Sequence, residues 1–510
     1  MKKYSIILLT FLALMGSSCK KDFLNIDEVN PNNPSQVPPK LVLPTALVDV
    51  SDVMNYPANW DFVYLWYGVW SISGGYAPSA AMTSYNITTA YYTGNWQNLY
   101  LSGKNFDYII QNSMTEDQKD FRGIGRIMKA YCIQNLVDVY GDVPYSQAFK
   151  TDAGILKPAY DNQQAIYEDL VDQLDTAIHD ILTAPASSVP PNAKQDVVFS
   201  GDMGLWVKFA NTLKLRILLH QAGMGGDRPA YIASHITDSY GYLGAGEGAM
   251  VQPGYSASTN KQNPFWDRFF DPSGAARADG LAYYVANQDA LDFLGNSNDP
   301  RLTAFFSPGS TAPGNAYIGA YYGQSASLPV GSTEAIIGDG LLQAATQPSI
   351  LLSDYESLFI QAEAAQRGLI AGDPQTLYEA AITANFEYVG FTSTDAADFL
   401  TSAAGIGDVN VDWSSVAAAD KIKLIITQKW AALNATTPVE LWTDYRRTGF
   451  PDFLHFTQNP NRIGPGNPPV RLFYPSTEIS YNNDNELAAE KRDPSGRIDL
   501  FSSKIFWQNR

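Results

Sequence analysis

The sequence predicts a mainly α-helical fold: paired helices joined by long irregular loops, with little strand. Two observations carry this expectation. Apolar residues recur at spacings of three and four along several segments, the period of a helix with one buried face. Stop and start signals bracket those segments, and the stretches between them are long and rich in Gly, Ser, Pro and Tyr.

In chain order, Thr115-Glu116-Asp117-Gln118 fits a capping box, followed by Ile124, Ile127, Met128, Tyr131 and Leu136 at helical spacing. Gly141 and Pro144 supply the stop. Asp161 is placed to cap a helix carrying Ile166, Leu170, Leu174, Ile178 and Ile181. Trp206, Phe209, Ala210, Leu213 and Ile217 repeat the pattern. Ser353-Asp354-Tyr355-Glu356 opens a helix with Tyr355, Leu358, Phe359 and Ala362 on one face; Gly368 ends it and Asp373-Pro374 starts the next. Ile422, Ile425, Ile426, Trp430 and Leu433 form a later face. The pair beginning at Ser353 and Pro374 has the size of a tetratricopeptide unit, without a clean sequence repeat. Residues 223–280, 306–350 and 457–475 read as long loops, which are uncommon unless they bind something.

The first residues read as export chemistry. Lys2 and Lys3 precede an apolar run, Ile6 to Met15, too short for a stable membrane span. Gly16-Ser17-Ser18 then places small residues before Cys19. In a bacterial chain this resembles a lipoprotein signal over 1–18, cut before a lipidated Cys19, although Gly16 departs from the Leu usual at that position. The alternative is a plain secretory signal with Cys19 incidental. Residues 19–44 read as an extended tether, with Pro31, Pro34, Pro38, Pro39 and Pro44 among Asn and Ser. Residues 45–510 read as one interlocked domain, because no linker divides them.

Composition excludes whole classes of function. Lys+Arg number 34 against 52 Asp+Glu, a net charge of −18. Loss of Lys2 and Lys3 with the signal makes it −20. Nucleic acid and anionic membrane surfaces both need clustered cations, so neither is an expected partner. The membrane would be reached through the lipid alone. Two cysteines (Cys19, Cys132) make no disulfide framework, and four scattered histidines make no zinc spacing, so neither metal nor cofactor is expected. Phosphate-loop, nucleophile-elbow, HExxH and dinucleotide motifs are absent, and no catalytic residue is nominated. Cys132 reads as a small buried hydrophobe. His220 ends a helical run, where it is placed to meet terminal carbonyls. Asn482 to Glu486 offers oxygens for calcium but lacks the EF-hand order, so it reads as a solvated loop.

Aromatics are the chemical signal, at 13% of residues. An aromatic face covers the apolar face of a sugar ring while its polar tip stays wet. Trp66, Trp70, Tyr76, Tyr85, Trp266, Tyr321 and Tyr322 are the candidate ligand residues. Trp66 and Trp70, at i and i+4, fit core or platform equally. Trp96 and Tyr100 share that spacing and read as helix core. Tyr76 follows Ser73-Gly74-Gly75 in an expected flexible loop, and Trp266, Tyr321 and Tyr322 fall in later loops.

Several segments in order resemble the SusD/RagB family of nutrient-binding outer-membrane lipoproteins. They are Cys19-Lys20-Lys21-Asp22-Phe23-Leu24, Tyr140-Gly141-Asp142-Val143-Pro144-Tyr145, Asp299-Pro300-Arg301-Leu302 and Leu358-Phe359-Ile360-Gln361-Ala362-Glu363-Ala364. Later come Gln428 to Leu433, Glu440-Leu441-Trp442, Tyr445-Arg446-Arg447-Thr448-Gly449, and Arg471 to Pro475 with Glu478 and Asn482. The Asn-Pro-Asn-Asn-Pro opening and the early Trp-rich stretch look like the subfamily distant from the starch-binding prototype. The resemblance implies a helical, tetratricopeptide-like body and a SusC-like TonB-dependent barrel as partner. The lipoprotein would sit on that barrel as a lid, facing the cell exterior. It implies scaffold roles for Glu363, Arg446 and Arg447, as ion-pair members. The expected function is capture of an oligosaccharide without catalysis. Peptide or other nutrient capture, an α-helical glycoside hydrolase, and a scaffold that only gates the barrel are the rivals.

Overall fold

The structure, a computed structural model, describes residues 37–324 and 331–508. The signal segment, Cys19 and the tether as far as residue 36 lie outside the described residues. With 51% helix and 5% strand, the fold is of the expected mainly helical class.

Helix α1 (Pro39–Asn55) begins inside the expected tether, which corrects its end at residue 44. Pro39 occupies the first helical turn, where a missing N–H costs nothing. Pro44 lies within the helix, and the buried face of Leu43, Ala46, Leu47, Val50, Val53 and Met54 offsets its lost hydrogen bond. Then come α2 (Pro57–Trp66), α3 (Thr93–Gln111), α4 (Lys119–Tyr140), α5 (Gln163–Leu182) and α6 (Met203–His220). From α3 to α6, each helix packs on the next. Later, α7 (Asp354–Gln366) pairs with α8 (Pro374–Tyr388), and α9 (Ser393–Ile406) packs on α8. Helices α10 (Lys421–Ala432) and α11 (Pro438–Thr448) follow, and α7 touches both α10 and α6. Buried side chains from Leu43 to Trp507 share one continuous apolar core.

Local signals act as their chemistry dictates. Thr115 and Gln118 form the capping box. Ser353 Oγ accepts from Glu356 N, and Asp373 caps α8 through Thr376 N. Asp161 is not a cap: Asn162 takes that place, accepting from Gln164 and Ala165. The Asp161 carboxylate instead accepts from the backbone N–H groups of Tyr145 and Ser146, pinning the loop that precedes it. The segment from Asn482 is helical rather than a loop, over Asn483–Glu490.

The strands are short: β1 (Trp70–Ile72), β2 (Val143–Pro144), β3 (Tyr160–Asp161), β4 (Ala249–Val251), β5 (Tyr284–Ala286), β6 (Phe306–Ser307), β7 (Ile336–Ile337) and β8 (Ser349–Leu352). Four of them form an antiparallel sheet in the order β1-β5-β7-β6.

Beneath the helices lies a buried ionic network. Arg447 pairs with Glu363 and Asp444, both at 2.5 Å, and Lys429 with Glu440 (2.6 Å) and Asp444 (2.8 Å). Arg301, fully buried, bonds Asp299, Asn385 and Gln428. Arg446 departs from the expected ion pair. It donates to the carbonyls of Asp138 and Val470 and lies over the rings of Trp442 and Trp507. Burial pushes its pKa down to about 10. His220 is likewise no helix-end cap: its ring lies between Tyr167 (3.1 Å) and Glu440 (3.0 Å).

Candidate ligand-binding face

The β1–β5 pair places the first candidate. Ile72 pairs with Tyr284, and Ser73 N extends the ladder by donating to Tyr283 O. The chain then turns, with Tyr76 N donating to Ser73 O. Two strands that meet at one end bring their loops together, so Tyr76 lands on residues 278–283. Its hydroxyl donates to Ala278 O at 2.8 Å, and its ring meets Tyr283 edge-on with centroids 5.2 Å apart. The Ser-Gly-Gly turn is gripped rather than loose. The buried Glu334 carboxylate accepts from Ser73 Oγ (2.6 Å) and Gly74 N (3.1 Å).

The same loop reaches Trp266. That residue sits on the short helix Pro264–Phe269, whose cap Asn263 accepts from Trp266 N. Its half-buried ring stacks on Phe270 at 4.3 Å. Arg277 donates to Asp267 through both its carbonyl (2.6 Å) and carboxylate (2.7 Å), tying residues 277–283 back to this helix. Tyr76, Tyr283, Arg277 and the Trp266–Phe270 stack are therefore joined through one loop. Tyr321 lies on a second loop, its half-buried ring 4.9 Å from that of exposed His455. His455 is held by Asp289, which accepts from its backbone N–H at 2.7 Å and contacts Nδ1 at 2.6 Å. Burial raises the Asp289 carboxyl above its usual range, although His455 opposes the shift.

The other four candidates are core, which corrects the reading of them as platforms. Trp66, Trp70, Tyr85 and Tyr322 are each at most 1% exposed. The physical reason is packing from both sides. Trp66 lies edge-on to Phe62, Tyr85 and Trp442, while Trp70 lies among Tyr64, Phe265 and Tyr284 and donates to Asn434. Tyr85 Oη accepts from Thr457 N, anchoring the 457–459 turn. Tyr322 alternates with Tyr321, so one ring turns in as the other turns out. Sequence reasoning missed Tyr283, Phe270 and His455; the loop signal, which ends at residue 280, stops three residues short of Tyr283.

Asp61 lies under this face and accepts from Tyr92 Oη (2.9 Å) and Tyr284 Oη (2.8 Å). Burial raises its pKa, with both hydroxyls opposing the shift. Cys132 is buried, and desolvation raises its thiol pKa. Among the described residues no cluster of His, Cys, Asp or Glu is placed to hold a metal ion.

A cavity of about 690 Å³ lies elsewhere, lined by Asp107, Lys129, Tyr145, Phe149 and Asp169 among others. None of the aromatic candidates lines it. Its polar groups answer one another: Lys129 meets Asp107 at 2.6 Å, and Tyr145 donates to Asp169. The aromatic face is thus an open surface, suited to laying a flat, polar-edged ligand across rings.

Comparison with known proteins supports the fold throughout. A SusD-like family profile, described as starch-binding and associating with the outer membrane, matches residues 31–475. A chitin-binding protein is 24% identical over 92% of this chain and 100% of its own, with a TM-score of 0.76. A SusD-like protein from Bacteroides thetaiotaomicron is 23% identical, covering 93% of this chain and 99% of its own (TM-score 0.75). A chitin-binding SusD homolog from Flavobacterium johnsoniae is 22% identical, covering 92% and 98% (TM-score 0.75). No curated protein matches the chain. Among the described residues no helix is long and apolar enough to cross a membrane. With the profile spanning most of its length, the chain belongs to the SusD-like family of outer-membrane-associated binding proteins.

Proposed function

We propose that this protein is a surface-exposed lipoprotein that captures an oligosaccharide on its loop aromatics and passes it to a SusC-like TonB-dependent barrel. No bond is made or broken. The observation that carries the reading is the set of solvent-reaching rings, half-buried Tyr76 with Tyr283, Trp266 with Phe270, and Tyr321 with exposed His455. Buried carboxylates pin the loops that bear two of these pairs, so little ordering entropy is lost when a ligand arrives. Two structural neighbours are named as chitin-binding, which makes chito-oligosaccharides the first ligand to try. Calorimetric titration of the purified protein with chito-oligosaccharides, starch fragments and a peptide pool tests the proposal. Saturable binding of a saccharide without its hydrolysis supports it. Hydrolysis would favour the glycoside hydrolase, and binding of peptides alone would favour the peptide alternative.

A further inference from the structure

Apart from the aromatic face, a second cavity, of about 430 Å³, opens between the loop that follows α9 and helix α10. Its volume lies within the range of small-ligand sites, roughly 300–1,000 Å³. Leu424 and Thr427 of α10 and the ring of Phe453 line it, with Val409, Asn410 and Asp420 contributed by the neighbouring loops. The Phe453 ring lies parallel to Phe293 at 5.5 Å and edge-on to Trp430. It is therefore a rigid apolar wall that stays half-exposed.

The polar groups here are not all spent on one another. Thr427 is 4% exposed, and its Oγ1 has no hydrogen-bond partner among the described residues. A helical threonine commonly bonds the carbonyl one turn back; this one does not. A buried hydroxyl without a partner is costly and calls for an explanation. Asn410 uses its backbone N–H on Asp408 and its carbonyl on Gln428. Lys423 and Asp452 bridge the rim at 2.8 Å, with both side chains largely in solvent. Such an exposed pair is weak and easily parted. Val409, 61% exposed, adds an apolar lip.

We propose that this cavity is an end subsite, taking the terminal ring of an oligosaccharide whose other rings lie on the aromatic face. An apolar wall, an amide and an unspent hydroxyl suit a neutral, hydroxyl-bearing ring. Connection to the face comes through the chain: Phe453 precedes His455 by two residues, so their Cα atoms are at most about 7 Å apart. His455 is the partner of Tyr321. In the proposed arrangement a short oligosaccharide crosses Tyr321 and His455 and ends in this cavity, whose Phe453 wall is two residues from His455. The inference rests on the saccharide reading of the face and extends it to a chain-end preference.

The test uses chito-oligosaccharides of increasing length, titrated calorimetrically into the full protein and three variants. Asn410→Ala removes the amide. Ala417→Trp, at an exposed rim position, fills the cavity without touching the core. Tyr321→Ala reports on the face. The expected result is that wild-type affinity rises with length, and that both cavity variants lose about two- to tenfold for the longest oligomers only. Melting temperatures should stay near wild type. If both cavity variants bind the whole series as wild type does while Tyr321→Ala weakens it, the end subsite is overturned and the face stands. If the wild type binds no saccharide, both fall. If Asn410→Ala fails to fold, Ala417→Trp alone decides between these outcomes.

Discussion

Trp70 and Tyr76 stand close together in the chain, yet one is sealed in the core and the other lies across the surface. Their substitutions should separate accordingly. Trp70→Ala leaves a void and orphans Asn434, and should cost about 3–5 kcal/mol of stability, read from thermal or denaturant melts. Tyr76→Ala, Trp266→Ala and Tyr321→Ala remove half-buried rings. Each should weaken saccharide binding by about 1–3 kcal/mol, by analogy with stacking on flat bases, with little change in melting. A Tyr76→Ala protein that melts far earlier, with unchanged affinity once folded, would return that ring to a packing role. Glu363 makes a different prediction. Burial would raise its carboxyl, but the guanidiniums of Arg447 and Arg367 win and hold it down to about 2. The folded value lies below the unfolded value of about 4.3, so its stabilisation is present above about pH 5 and lost as pH falls toward 2. Denaturant unfolding across that window should show Glu363→Gln with a shallower acid dependence than wild type. Equal slopes would remove Glu363 from the acid response.

At the scale of elements, caps and periodic faces explain where helices begin and which side they bury. Ser353 starts α7 through its bond to Glu356 N at 3.1 Å. Ser353→Ala should therefore cost about 0.5–2 kcal/mol, and Ser353→Gly only a few tenths, read from denaturant melts. Loops obey another logic. The Ser73-Gly74-Gly75 turn looked free, because small residues carry no contacts of their own. It is held by Glu334, far away in sequence, through the carboxylate that its backbone and hydroxyl supply with donors. The short strands, too, escape any period-based reading: three residues are too few to alternate visibly.

For the whole molecule, the strong negative charge argues against electrostatic docking to an anionic membrane, which leaves the proposed lipid and partner to be tested. Cys19→Ala should release the protein from the membrane fraction if Cys19 carries the lipid; full retention would end that assignment. Affinity purification in mild detergent should bring down a TonB-dependent barrel in near-equal amount, since a lid on a barrel buries an interface above about 2,000 Å². Repeated recovery of the protein alone would count against the proposed pairing.

What the amino-acid sequence determined by itself is what depends on near neighbours: the helical class, the faces buried on α4, α5, α6 and α7, and the caps at Thr115, Ser353 and Asp373. Charge, too, is a sum over residues, and it argues against nucleic acid without any fold. The fate of each aromatic was decided only in three dimensions. Trp66 and Trp70 share the i, i+4 spacing of a helix face, but Trp70 lies on a strand, and both rings are enclosed by elements distant in the chain, Trp442 and Phe265 among them. Tyr321 and Tyr322 are indistinguishable by composition; the backbone direction at that point turns one outward and one inward. Burial is a property of what packs against a residue from elsewhere, and a linear sequence holds that information only through the folded chain.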